Sequence, residues 1–297
     1  MTTNGDDLSY GSSGEDGDWI SEEQELRLPT RPSLLELERL SAERELASGI
    51  PREGDRIMSE ATRLAAERLN EIQRANSELS LSETRHLQPT IRSTLAEVQT
   101  GEVDQSEIKV FLPNWNPTPG GIDVVIRGTS GKPRFAAELK LRETYWTLWD
   151  ALKMIDLRNH PGLESAYLVV GATNKDWSAT YRHCEANRKT TELFEPGDQV
   201  HDTRQLFRTN AHAWFDLLSG GSARPTRVPE SIRTVQVADV PLDIDRKDGS
   251  LRCVRVEPAS ETWLDFSPDH YWGEWPIGVE PCEHYLPWRE KLGGQTG

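Results

Sequence analysis

Residues 120–141 read GGIDVVIRGTSGKPRFAAELKL. Two runs rich in Val, Ile and Phe, 122–127 and 135–141, flank a stretch at 128–133 that carries Gly, Lys and Pro, which predicts a β-hairpin. Asp123 enters the first apolar run, and Glu138 and Lys140 enter the second. Side chains alternate between the faces of a strand, so Glu138 and Lys140 share a side. A hairpin that brings Asp123 alongside them gathers two carboxylates and an ammonium at the edge of an otherwise apolar sheet. Burying such groups costs on the order of several kcal/mol unless they pair or hold a metal. That cost marks the stretch as a candidate site.

Outward from the hairpin, helical and strand patterns follow one another. Residues 82–100 read as helical, with Pro89 kinking the segment or starting its second part and Gly101 as its C-cap. Residues 108–112 read as a first strand, followed by a loop at 113–121 that contains Trp115. A Trp in a Pro/Gly loop beside the site either stacks on a base or covers an edge of the core. After the hairpin, 144–160 reads as a broadly apolar helix ended by Pro161-Gly162, in which Lys153 and Arg158 are read as a solvated face or as phosphate contacts. The run AYLVV at 166–170 reads as a buried strand. The order between about 82 and 172 is therefore helix, three strands, helix, strand.

An Asp at the start of one strand and Glu-Leu-Lys on the next resembles the PD-(D/E)xK, or restriction-endonuclease-like, nuclease superfamily. Gly121-Ile122 precedes Asp123 here, where the family pattern has a Pro. The resemblance implies an α/β (α+β) fold with a restriction-endonuclease-like core of helix, three antiparallel strands, helix and strand. It implies that Asp123, Glu138 and the Leu139 carbonyl bind Mg2+ (or Mn2+), and that Lys140 orients or activates the attacking water. Hard cations take oxygen ligands and stabilise charge developing on a phosphoryl oxygen. The helix before the first strand often supplies another acid in this family, and Glu83 and Glu97 are the candidates. The implied activity is metal-dependent hydrolysis of DNA, in restriction or defence against foreign DNA. The alternatives are a non-catalytic scaffold or protein-binding subunit built on the same fold, and an accidental match in an α+β binding domain.

Four regions are expected. Residues 1–30 are an acidic tail with the composition of disorder. Residues 31–81 are a helical arm: Ser33 and Glu36 form a capping box before Leu34, Leu35, Leu37 and Leu40, and a second helix at 55–79 repeats Ile57, Ala61, Leu64, Ala65, Leu69 and Ile72. That arm either binds a partner or packs on the core. Residues 82–222 are the nuclease-like core, including a basic cluster at 174–191 and a helix at 203–219. Residues 223–297 are a C-terminal extension with strands at 232–237, 240–244 and 251–256, and Lys247-Asp248-Gly249 as the tight turn of the last pair. The extension ends in a Trp-rich wrap or docking tail holding Trp263, Trp272, Trp275 and Trp288.

The net charge of −15 is unevenly spread. Residues 1–50 hold 12 acidic and 4 basic side chains, whereas 101–240 hold 18 and 17. Charge therefore neither favours nor excludes DNA as a partner. No apolar run reaches the ~18 residues of a membrane span, and the acidic N-terminus lacks the apolar core of a signal peptide. The three cysteines, Cys184, Cys253 and Cys282, are far apart without a CxxC pair, as expected in a reducing cytoplasm. No P-loop, GxGxxG, GxSxG or HExxH motif is present, and His270, Cys282 and His284 match no common zinc spacing.

Overall fold

The computed structural model describes residues 51–99, 101–116, 120–142, 147–160, 162–178, 180–183, 186–189, 192–209 and 224–266. Helix α1 (Glu53–Ala75) is followed by a π-helical turn (Glu83–Leu87) that runs directly into α2 (Gln88–Val98). Then come β1 (Glu102–Val103), β2 (Val124–Arg127), β3 (Pro133–Leu141), α3 (Thr147–Leu157) and β4 (Ser165–Thr173). Strands β5 (Asp198–Asp202), β6 (Ser231–Pro241) and β7 (Gly249–Pro258) complete a mixed seven-stranded sheet in the order β1-β2-β3-β4-β7-β6-β5. Among the described strands only β3 and β4 are parallel neighbours, and parallel neighbours need a crossover, which α3 supplies.

Alternation along the strands divides the core into two apolar layers. Phe135, Ala137, Leu139, Tyr167, Val169 and Cys253 face a cluster that contains Ile57, Ala61 and Leu69 of α1 and Ile91 and Leu95 of α2. Ala136, Leu168, Val170 and Val254 face the other way, against Leu148, Leu152 and Ile155 of α3. The result is helix, sheet, helix. Every residue of β4 is buried, as a strand covered on both faces requires. At Gly54 an added Cβ would collide with the Tyr167 hydroxyl and lie 2.8 Å from the Phe135 ring. Gly54→Ala is expected to cost ~1–3 kcal/mol, visible as a lowered thermal midpoint; an unchanged midpoint would show that α1 can shift away from the sheet.

Several expectations are corrected. The segment 108–112 is not the first strand: its contribution is a single bridge between Ile108 and Ile122, and Phe111 is 70% exposed. The edge of β2 is already taken by β1 in the register Glu102↔Arg127 and Val103↔Ile126. Residues 232–237 and 240–244 are not two strands but belong largely to one, β6, whose register passes from Gln236↔Val254 to Ala238↔Cys253. The extra residue swings even-numbered side chains from one layer to the other, which imitates a strand break in the sequence pattern. The tight turn is Asp245-Arg246, both at positive φ (51° and 64°) and closed by mutual Ile244–Lys247 backbone bonds, the two-residue hairpin geometry. Gly249 serves another purpose: a Cβ there would collide with the Ala172 carbonyl. Strands expected to form a peripheral extension instead complete the sheet, with β7 between β4 and β6.

Helix α1 starts at Glu53 and ends at Ala75, two residues before and four short of the expected span. It packs on the sheet. The acidic tail, the helix beginning near Ser33, the residues 210–219, Trp272, Trp275, Trp288 and the cysteines 184 and 282 lie outside the described residues. No helix among the described residues is long and apolar enough to cross a membrane.

Candidate active site

The hairpin register Val124↔Ala137 puts Asp123 opposite Glu138 one pair further on. Asp123 is 5% exposed. Its Oδ2 accepts a hydrogen bond from the Leu139 backbone N–H (2.8 Å) and its Oδ1 accepts one from Gln88 Nε2 (2.9 Å). One turn along α2, Arg92 Nη2 donates to the Asp123 carbonyl (2.5 Å). Residues four apart lie on one helical face, so α2 grips both the side chain and the backbone of Asp123.

Glu138 and Lys140 lie on the α3 side of β3. Glu138 is 2% exposed, and its Oε1 is 2.7 Å from Lys153 Nζ. Lys153 also lies 3.9 Å from Asp150 Oδ1 and donates to the Gly121 carbonyl (3.4 Å). Lys140 Nζ stands 3.8 Å from both Glu83 Oε1 and Asp150 Oδ2. Glu83 is in place because the π turn swings it over the end of β3, where its Oε2 accepts from the Leu141 N–H (3.2 Å). Four carboxylates (Glu83, Asp123, Glu138, Asp150) thus face two ammonium groups (Lys140, Lys153), while the Arg92 guanidinium is turned to backbone carbonyls.

Burial and this imbalance together shape the protonation of the site. Burial pushes Glu138 well above the usual carboxylate range; Lys153 opposes that shift, and the charges of Asp150 and Asp123 reinforce it. Glu83 is raised by burial against the pull of Lys140. Burial works against the Lys140 ammonium, but Asp150, Glu83, Glu138 and Asp123 outweigh it and raise its pKa. Lys153 is raised in the same way, by Glu138 and Asp150 against burial. Lys140 is therefore a fixed cation at neutral pH. A cation in this position can orient a water or an anionic oxygen by charge.

The expected residues are distributed unequally. Asp123, Glu138, Lys140 and Glu83 come together. Leu139 contributes its N–H to Asp123 and buries its side chain on the α1–α2 face. Glu97 does not join them: it pairs with Arg68 at 2.6 Å on an exposed surface, nine residues beyond Gln88 or about 13 Å along the helix. Lys153 is buried against Glu138, not on a solvated face, and Arg158 donates to the Leu163 and Glu164 carbonyls. Trp115 is core: its ring packs edge-on against Trp149 with centroids 5.8 Å apart. Gln88, Arg92 and Asp150 are not among the residues the sequence points to, whereas Lys153 is read there as a solvated charge or a phosphate contact. Asp150 and Lys153 carried the same signal as the hairpin, charges inside an apolar run, because every residue of α3 is buried.

Among the described residues no group of three or more His, Cys, Asp and Glu side chains is arranged to hold a metal ion. Two carboxylates with a backbone carbonyl and waters is a smaller set, and Mg2+ is commonly held by that few protein ligands. An all-oxygen donor set with surplus negative charge suits a hard divalent cation. No family model, no curated protein and no solved structure matches the chain.

Proposed function

We propose that the chain is a metal-dependent phosphodiesterase acting on DNA, with Asp123, Glu138 and Lys140 as its working residues. The observation that carries the reading is the convergence of these side chains, with Glu83, on one end of the β2–β3 hairpin. Two further facts support it. The order helix, three antiparallel strands, helix, parallel strand runs through residues 88–173, which is what the likeness to PD-(D/E)xK nucleases implies. Asp123 and Glu138 are also buried, which is costly for carboxylates and is common at functional sites.

Asp123 and Glu138, with the Leu139 carbonyl, are the residues that would hold Mg2+ or Mn2+, which stabilises charge on the phosphoryl oxygens when bound. Gln88 and Arg92 keep Asp123 aimed. Lys140 orients the attacking water and the anionic phosphate by charge. Glu83 and Asp150 hold the Lys140 ammonium between them.

The test is cleavage of plasmid and single-stranded DNA with Mg2+ or Mn2+. Lys140→Ala and Asp123→Ala are each expected to lose activity by ~10²-fold or more. Equal cutting by wild type and both variants would overturn the reading. The second reading is a non-catalytic scaffold, and the closure of Glu138 by Lys153 favours it. In that case the wild type neither cuts DNA nor binds Mn2+.

A further inference from the structure

At the turn end of the β2–β3 hairpin, away from Asp123, a cleft of about 450 Å3 opens between the start of α1, the end of α2 and the turn 128–132. None of the charged groups described above lines it. Ile57 and Phe135 form part of its wall, and Arg56, Arg127, Lys132 and Arg134 face it together with Glu53 and Glu164. Four cations against two acids is a local excess of positive charge in a chain of net charge −15.

Two of these cations are committed within the protein. Arg127 pairs with Asp104 (3.0 Å) and donates to the Gly131 carbonyl (3.0 Å), bracing the turn. Arg134 holds both Glu53 oxygens (2.7 and 3.1 Å) and Glu164 (2.5 Å), and lies 4.7 Å over the Phe135 ring. Arg56 and Lys132 make no ion pair or side-chain hydrogen bond among the described residues. They reach the cleft from different elements, α1 and the turn, and Thr129 and Ser130 line it with them.

We infer that this cleft binds a phosphate-bearing ligand of nucleotide size. The two uncommitted charges match a phosphate dianion, and Arg, Lys and hydroxyl donors are the groups that hold phosphate through charge-assisted bonds. The surplus of positive charge left by Arg56 and Lys132 also attracts an incoming anion. The volume exceeds that of a bare phosphate and falls in the range of small-molecule sites, with apolar wall for an attached body. A free nucleotide and a phosphate on a nucleic-acid strand present the same chemistry. The inference does not rest on the phosphodiesterase reading.

Calorimetric titration in EDTA, where no metal-dependent chemistry runs, tests it with AMP, adenosine, inorganic phosphate and short oligodeoxynucleotides with and without a 5′-phosphate. AMP is expected to bind at one site per chain and adenosine not at all. Arg56→Ala/Lys132→Ala should weaken AMP by about tenfold or more, while Lys175→Ala/Arg204→Ala, which removes two exposed charges elsewhere, should leave it unchanged. A free nucleotide is the source if AMP binds at least as tightly as the oligonucleotides. A strand is the source if an oligonucleotide binds more tightly and the Arg56/Lys132 pair weakens it. Absence of binding by every phosphate probe, or equal binding by wild type and the Arg56/Lys132 variant, would overturn the inference.

Discussion

Replacing Arg255 by Leu is expected to cost ~3–5 kcal/mol of stability, the usual effect of removing one partner from a buried ion network. Arg255 is 6% exposed in the middle of β7. Its Nε lies 3.0 and 3.3 Å from the two Asp55 oxygens, and its Nη1 lies 2.5 Å from Glu257 Oε2. Glu257 is also paired with Arg52 (3.2 Å) and Arg233 (3.6 Å), Arg233 with Asp198, and the Tyr167 hydroxyl donates to Asp55 (3.1 Å). One network therefore joins the start of α1 to β4, β7, β6 and β5. Without Arg255, Asp55 and Glu257 are left facing each other's charge in a partly buried site. At ~2–4 °C per kcal/mol for a chain of this size, the thermal midpoint should fall by about 10 °C. A loss under about 1 kcal/mol would mean that water replaces the guanidinium.

The pH dependence of that network has a definite sign. Burial tends to raise Glu257, but Arg255, Arg52 and Arg233 outweigh it and hold its pKa below the ordinary value of 4.5. Asp198 is lowered chiefly by the hydrogen bonds from Arg233. Groups whose pKa is lowered on folding stabilise the protein above the unfolded value and lose that contribution as pH falls through the folded value. This share of stability disappears in acid, below about pH 4.5.

Glu138 should behave in the opposite way. Its pKa is raised on folding, so its contribution is complete below the unfolded value of 4.5 and is lost as pH rises through the folded value. Gln copies the shape of the protonated acid. Glu138→Gln is therefore expected to raise metal-free stability at pH 8 by ~1–2 kcal/mol, the scale seen when a strained functional group is removed. At pH 4 the difference should vanish. Mn2+ should stabilise the wild type and not the variant. Denaturation in urea at the two pH values, with and without Mn2+, measures all three outcomes. Should Glu138→Gln destabilise at pH 8, the Lys153–Glu138 pair would be a net stabilising contact and the scaffold reading would gain.

The hairpin was legible because its cause is local. A two-residue period and a cluster of turn formers are visible in 22 consecutive residues, and alternation alone puts Glu138 and Lys140 on one face. The choice between Glu83 and Glu97 was not legible. Both sit on helical sequence, and only the π turn before α2, together with the distance along the helix, separates one from the other. For Lys153 the sequence leaves a solvated face and a phosphate contact open, because nothing in its neighbours shows what α3 lies against. The segment 108–112 alternates like a strand, yet pairing depends on a free edge of β2, and β1 already occupies it.

Read along the chain alone, the residues already specify the hairpin, the buried character of β4, the helical character of α1, α2 and α3, and the three residues around which a site can form. These follow from propensity and periodicity, which act over a few residues along the chain. Long-range packing alone sets β7 beside β4, brings Asp150 and Lys153 of α3 over Glu138, and places Gln88 and Arg92 against Asp123. Contacts between elements within the site join positions from 10 to 58 residues apart, and Arg255 meets Asp55 across 200. They exist because both apolar faces of the sheet are covered, by α1 and α2 on one side and α3 on the other, and the charges must pair wherever that burial carries them.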